Sequence, residues 1–434
     1  MQKNSSNAHF ILALIIFSLV GQVAWVVENM YLNVFIYKMF HASPEQISFM
    51  VSASAVAATV TTLLIGALSD KLGKRKLFIC GGYILWGISI LGFALIREDL
   101  VHTTFFPLVS YNGAALSLCI ILSIALDCVM TFFGSSANDA AFNAWLTDST
   151  NETNRGRAEG INSMMPLVAI LVVFGGFMSL NQDLQESWTI IFCVIGGVVL
   201  LIGVAGIFLI QDTPIRTEGN RSYFANIFYG FRPKVIRENV RLYVALVVFA
   251  LFNIAIQIFM PYLILYYTES LKLSNYVLIM APAILLAAVF TAIYGRVYDK
   301  KGFRFAIIPV MGLLLAGFVM LYLFRGTALV FVGSLLMMCG YLSGMAMFGA
   351  LIRDHTPENK AGMFQGLRIC FQVLLPGVIG PVIGAAILKN AETVVNADGT
   401  TSFLPNANIF LGALIASVVT VAALLPLCKL LKKC

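Results

Sequence analysis

Charged side chains are scarce in this sequence. Asp, Glu, Lys and Arg make up 11% of its 434 residues, against about 25% in an ordinary soluble domain. That deficit excludes a water-soluble globular chain, and it comes with 59% hydrophobic residues and a mean hydropathy of +0.89. Histidine is rarer still: His9, His41, His102 and His355 lie far apart at helix ends or in loops, so no metal site is expected. The eight cysteines show no paired loop spacing, which argues against a disulfide framework. No Gly-rich phosphate loop, Ser/His pair or His/Glu metal motif occurs at usable spacing in the apolar runs. An enzyme, an ATP-driven machine and a resident cofactor are therefore not expected.

What the chain does have is long apolar runs, each near the roughly 20 residues that cross the hydrocarbon layer of a membrane as a helix. A barrel is not indicated, because strand-type alternation is missing. Twelve spans are expected, at about 9–37, 46–68, 77–96, 116–146, 158–180, 187–211, 240–267, 275–297, 304–324, 328–352, 362–388 and 404–430. The first run has no cleavage site behind it and reads as a span, not a signal peptide. Of the 28 Lys and Arg, 22 fall on one set of alternate connections, and Lys38, Arg97, Lys272, Arg325 and Lys389 on the other. Basic residues stay cytoplasmic, so a multi-pass protein of the plasma (inner) membrane with both termini cytoplasmic is expected. The net charge of +7 is thereby a topology signal, and the expected partners are the bilayer and a small molecule, not nucleic acid.

The sequence also repeats itself. "GALSDKLGKRK" (66–76) returns as "GRVYDKKGFRF" (295–305), matching Gly66, Asp70, Lys71, Gly73 and Arg75 to Gly295, Asp299, Lys300, Gly302 and Arg304. A second pair, "DSTNETNRGRAEG" (148–160) and "DHTPENKAGMFQG" (354–366), aligns Asp148 with Asp354. Each copy sits at the same connection of a six-helix half, and the polar stretch 211–239 lies between the halves. The expected organisation is an N-terminal six-helix bundle over 1–211, a cytoplasmic linker over 212–238 and a C-terminal bundle over 239–434. Internal symmetry of this kind suits two bundles that rock about a site near mid-membrane.

The doubled motif resembles the signature of the major facilitator superfamily, G-x-x-x-D-[RK]-x-G-R-[RK] between helices two and three, and the resemblance covers essentially the whole chain. It implies an all-α fold of twelve transmembrane helices in two pseudo-symmetric six-helix bundles, acting as a monomer. It also implies gating roles for Asp70, Arg75, Asp299 and Arg304. Asp70 would dock at the start of helix eleven near Gly362–Gly366, and Asp299 at the start of helix five near Gly156–Gly160. Both docks would close the cytoplasmic side, so Asp70→Asn is expected to shift the resting population inward. A carboxylate at a helix start is favoured by the open N–H groups and the positive dipole end.

Four ionisable groups fall inside spans: Glu28, Asp127, Asp139 and Arg368. Such groups are costly in a bilayer and are functional candidates by default. Glu28 and Asp127 lie slightly to the external side of the midplane on helices one and four, which line the central cavity in the resembled superfamily. Two carboxylates there are expected to hold a proton near neutral pH, so Glu28 and Asp127 are coupling candidates, and the resemblance given below adds Asp139. The alternative for Glu28 or Asp127 is a cap on a neighbouring helix or a place in an external vestibule. Asp139 and Arg368 lie toward the cytoplasmic ends of their helices. Their depths suit either a salt bridge across the halves or, for Arg368, snorkelling to the cytoplasm.

Polar residues recur on helical faces: Gln22, Trp25, Asn29 and Asn33 on helix one, and Asp127, Thr131, Ser135 and Asn138 on helix four with Asn143 beyond. Helix seven has Asn253 and Gln257, then Tyr262, and helix eleven Gln365, Arg368 and Gln372. Amides with aromatic faces suit a hydroxyl-rich solute, although such residues also glue helices together. The candidate substrate-binding set is Gln22, Trp25, Asn29, Asn138, Asn143, Asn253, Gln257, Tyr262 and Gln372. "DAAFNAWLTDSTNETNRGR" (139–157) is similar to the helix-four end of the glycoside–pentoside–hexuronide:cation symporters. That similarity implies a cation and sugar role for Asp139, while Asn143 stands where the family has a sugar-stacking aromatic. Helix two lacks the family's sodium-site acids, so the coupling ion is expected to be a proton in preference to sodium. The function expected is symport of a sugar, glycoside or similar small polar solute. The alternatives are a proton-coupled exporter of lipophilic compounds, a lysolipid or lipid transporter, and, more remotely, a non-transporting membrane sensor. "PGVIGPVIGAA" (376–386) resembles an antiporter pattern, but on helix eleven instead of helix five.

Overall fold

The structure, a computed structural model, describes residues 2–105, 113–150, 155–211, 229–273, 275–356, 366–396 and 399–431. The side chains of 2–8, 67, 70, 155–157 and 229 lie outside the described set. Among the described residues twelve helices are long and apolar enough to cross a membrane. The first six are α1 (His9–Phe40), α2 (Pro44–Leu72), α3 (Arg75–Phe93), α4 (Ala114–Asp148), α5 (Arg155–Phe177) and α6 (Gln185–Leu209). The rest are α7 (Val240–Ser270), α8 (Val277–Lys301), α9 (Phe303–Leu323), α10 (Thr327–His355), α11 (Gly366–Leu388) and α12 (Asn408–Leu430). Each overlaps an expected span, as the need to satisfy every backbone N–H and C=O within its own segment requires.

The helix boundaries follow from local chemistry. At the end of α1, His41 turns left-handed (φ 56°) and its N–H bonds back to Ile36 and Tyr37, closing the last turn. Ser43 and Gln46 then form a reciprocal capping box, Ser43 N–H to Gln46 Oε1 at 2.8 Å and Gln46 N–H to Ser43 Oγ at 3.3 Å. Gly73 (φ 65°) and Gly302 (φ 75°), the paired glycines of the repeated motif, make the α2–α3 and α8–α9 turns in a region that L side chains avoid.

Among the described residues three helices are interrupted by π-helical turns, Val27–Tyr31 in α1, Ser135–Phe142 in α4 and Cys370–Leu374 in α11, and a fourth such turn, Tyr266–Ser270, closes α7. In a π turn the N–H reaches five residues back, so one extra residue enters the turn and every later side chain is rotated. An uninterrupted helical period was expected in all four.

By contacts the chain forms two units. The first comprises Met1–Ala42, Val56–Asn220 and Asn396–Thr400, the second Ser43–Ala55, Arg221–Val395 and Thr401–Cys434. This differs from a single cut in the linker, because the first turns of α2 pack with the second unit. There Tyr262 Oη donates to the Pro44 carbonyl at 2.9 Å. Inside the first unit α3 lies along α6, and a ring cluster fills one end, with Phe35–Phe192 centroids 5.0 Å and Phe93–Phe192 centroids 5.3 Å apart. Inside the second unit α9 and α8 pack on α10, and α7 on α11 and α12, with Phe259 against Phe318 and Phe410. A two-stranded antiparallel hairpin, β1 (Thr393–Val395) and β2 (Thr401–Phe403), joins α11 to α12 with Val394 opposite Ser402.

Candidate functional site

In the first unit the intramembrane acids lie on two helices that face each other. Glu28 sits on the π turn of α1 and is 7% exposed; Asp127 on α4 is 2% exposed. Thr131 Oγ1 donates to Glu28 Oε1 at 2.9 Å. Thr131 is one turn beyond Asp127 on the same face, so both buried acids lie along the α1–α4 side of the unit. Both also lie within electrostatic reach of Cys128. Burial of this kind is tolerated only with polar partners, and the threonine hydroxyl is one of them.

Farther along these helices is a hydrogen-bonded aromatic relay. Trp25 Nε1 donates to Asn138 Oδ1 at 3.4 Å, Asn138 Nδ2 to Tyr83 Oη at 2.8 Å, and Tyr83 Oη to the Phe17 carbonyl at 2.7 Å. Each donor meets an acceptor, so the chain fixes the Asn138 amide and the Trp25 ring together. Trp25 also packs on Trp86, with centroids 4.9 Å apart. The relay needs Gly21: a Cβ there would run into Asn138 Nδ2 and stand 2.6 Å from Tyr83 Oη.

The third acid, Asp139, lies in the π turn of α4, half-buried, and accepts a hydrogen bond from Ser135 Oγ at 2.9 Å. It is one residue beyond Asn138 and lies within electrostatic reach of Tyr83. Asn143 is exposed and donates to the Asp139 carbonyl at 3.1 Å.

The polar faces expected from helical spacing are thus partly dissolved. On α1 the π turn splits the row: Gln22 and Trp25 are half-buried, Asn29 is exposed with its amide on the Trp25 carbonyl, and Asn33 is buried. In the second unit Asn253 is buried and its amide bonds the Phe249 carbonyl at 2.9 Å, while Gln257 is half-buried. Tyr262 is fully buried and its hydroxyl donates to the Pro44 carbonyl. Arg368 Nε donates to Gln372 Oε1 at 3.0 Å, so these two candidates on α11 form one pair. Gln365 and the expected Asp70 dock near Gly362–Gly366 fall outside the described residues, as does the Asp70 side chain. Asp299 is exposed at the end of α8.

Within the first unit the two sequence repeats meet. Arg75, 4% exposed, donates from Nε to Asp148 Oδ2 at 3.1 Å and from Nη1 to Ser69 Oγ at 2.6 Å. Asp148 opens the second repeat, and its pairing with Arg75 was not foreseen. The two repeats being duplicated together was the available clue. In the second unit the counterpart Asp354 accepts instead from Tyr298 Oη at 2.7 Å. No group of three or more His, Cys, Asp or Glu that could hold a metal occurs among the described residues.

Known proteins share this architecture. The family model described as Major Facilitator Superfamily matches residues 10–381. No curated protein sequence matches the chain. Among solved structures, a mutant form of the nucleoside transporter NupG superposes with a TM-score of 0.69 at 13% identity, covering 96% of this chain and 99% of that one. A D-xylose–proton symporter gives 0.68 at 12% identity, covering 95% and 97%. A bacterial homologue of the human lysosomal transporter Spinster, inward-facing and unoccupied, gives 0.64 at 13% identity, covering 96% and 95%. At these identities the likeness is one of fold.

Proposed function

Because the chain belongs to the Major Facilitator Superfamily, we propose that it is a secondary active transporter working by alternating access. In this reading it couples proton movement to symport of a sugar, glycoside or similar small polar solute. It acts as a monomer in the plasma membrane with both termini cytoplasmic.

The observation that carries the reading is the buried hydrogen bond from Thr131 on α4 to Glu28 on α1, with a second buried acid, Asp127, one turn before Thr131 on α4. Two carboxylates withdrawn from water cannot both stay charged cheaply, so together they hold and release a proton as water reaches them. Thr131 holds Glu28 in place without adding charge. The fixed Trp25 ring offers a rigid apolar face for the C–H side of a sugar, and Gln22, nearly one turn before it, supplies an amide for a hydroxyl. Asn138 serves this reading as a support. Neighbours of the same fold include proteins named as a nucleoside transporter and a D-xylose–proton symporter, so the architecture accommodates such solutes.

The test is uptake into proteoliposomes of a panel of labelled sugars, glycosides and nucleosides under an imposed pH gradient. Gradient-driven accumulation of one solute class is expected, lost in Glu28→Gln and Asp127→Asn while solute exchange without a gradient persists. Full accumulation in both variants would overturn the coupling assignment. Efflux of a lipophilic compound with no sugar uptake would overturn the symport reading.

A further inference from the structure

The duplicated motif ends differently in the two units. In the first, the motif arginine is consumed: Arg75 is buried between Asp148 and Ser69. In the second, its counterpart Arg304 forms no ion pair with Asp354 among the described residues, and Asp354 accepts from the Tyr298 hydroxyl. Arg304 lies against the Cys428 thiol, and its buried Nε has no hydrogen-bond partner among the described residues. The guanidinium borders a cavity of about 640 Å³ between the ends of α8, α9 and α10, with Arg241 from the start of α7 and Lys301 also on its wall.

Three cations therefore face one carboxylate in this cavity, with His355 beside them. Arg241 makes no ion pair among the described residues, and Lys301 Nζ stands 4.4 Å over the Phe305 ring. The first turn of α9 opens here as well: Gly302 is its N-cap and no side chain caps it, so its N–H groups and dipole also favour an anion. The lip is apolar. Phe305 is 55% and Ile308 69% exposed, on a helix of membrane-spanning length.

We propose that this cavity binds the phosphate of an anionic phospholipid, the headgroup seated among Arg241, Lys301 and Arg304 with its acyl chains against Phe305 and Ile308. A free phosphate would use the same cations but gain nothing from the apolar lip, which is why the lipid is the favoured source. Asp354 carries one negative charge against the three cations, so the wall keeps a positive excess that suits an anion. The site is independent of the transported solute and of the proton-coupling acids.

The test uses the full chain purified in detergent and exposed to dioleoyl-phosphatidylglycerol, dioleoyl-phosphatidylcholine or inorganic phosphate, read by native mass spectrometry and thermal unfolding. The parent is expected to retain phosphatidylglycerol over phosphatidylcholine and to be stabilised by it. Arg304→Gln and Arg241→Gln should each weaken that retention about fivefold. Arg241→Gln removes a half-buried cation at a helix start, so it keeps the test decisive if Arg304→Gln fails to fold. Equal retention of the two lipids, or unchanged retention in Arg241→Gln, would overturn the site. Inorganic phosphate reproducing the whole stabilisation would overturn the lipid as its source.

Discussion

Asp148→Asn removes the negative charge opposite Arg75 and leaves the guanidinium buried. At 3.1 Å the direct attraction amounts to about 5 kcal/mol with an effective dielectric constant near 20. Much of that is offset by desolvation, and the Asp148 side chain is 24% exposed, so the net value is smaller. Asparagine keeps an acceptor for Nε, and Ser69 Oγ still accepts from Nη1. The expected loss is about 2 kcal/mol, below the roughly 3–5 kcal/mol for breaking a fully buried pair. Arg75→Met should cost less, about 1 kcal/mol, because the carboxylate it strands can reach water. The double variant should lie close to Arg75→Met alone, since no buried charge is left without its partner. The assay is unfolding of the purified protein in mixed micelles of rising dodecyl sulfate content, followed by helical signal. Parent-like stability in Asp148→Asn, or a double variant that loses the sum of the two single losses, would refute the reasoning.

Thr131→Val keeps the shape but deletes the hydrogen bond to Glu28; gradient-driven uptake should fall about tenfold, the worth of roughly 1.4 kcal/mol. Unchanged uptake in liposomes would show that the contact does not serve coupling. Gly21→Ala forces a methyl into Asn138 and Tyr83 and should destabilise by about 1–3 kcal/mol in thermal unfolding, with altered tryptophan fluorescence as the Trp25 ring is released. Tyr298→Phe removes a donor from the exposed Asp354 and should cost no more than about 1 kcal/mol in the same unfolding assay. Comparable losses in Tyr298→Phe and Asp148→Asn would contradict the difference between the units.

Span number, the doubled motif and the identity of the intramembrane acids were all legible in the sequence. Each is a local property, because a helix in lipid must satisfy its own backbone and cannot hide a carboxylate among apolar neighbours. The positive-φ glycines at 73 and 302 were legible for the same reason: a tight turn imposes its geometry on one residue. Side-chain partners were not. Reading Gln22, Trp25, Asn29 and Asn33 as one face assumes 3.6 residues per turn throughout, and the π turn at Val27–Tyr31 breaks that period. The extra residue rotates the later side chains by about a quarter turn, which leaves Asn29 exposed and Asn33 buried. In α4 the π turn carries Asn138, bonded to Tyr83, and Asp139, bonded to Ser135, while Asn143 beyond it is exposed. Only the tertiary structure decided that Arg75 would meet Asp148 while Arg304 faces a cavity. Two copies of one motif carry the same charges, but which groups come within bonding reach depends on how neighbouring helices are rotated and packed, and that is fixed by the whole unit, not by the motif.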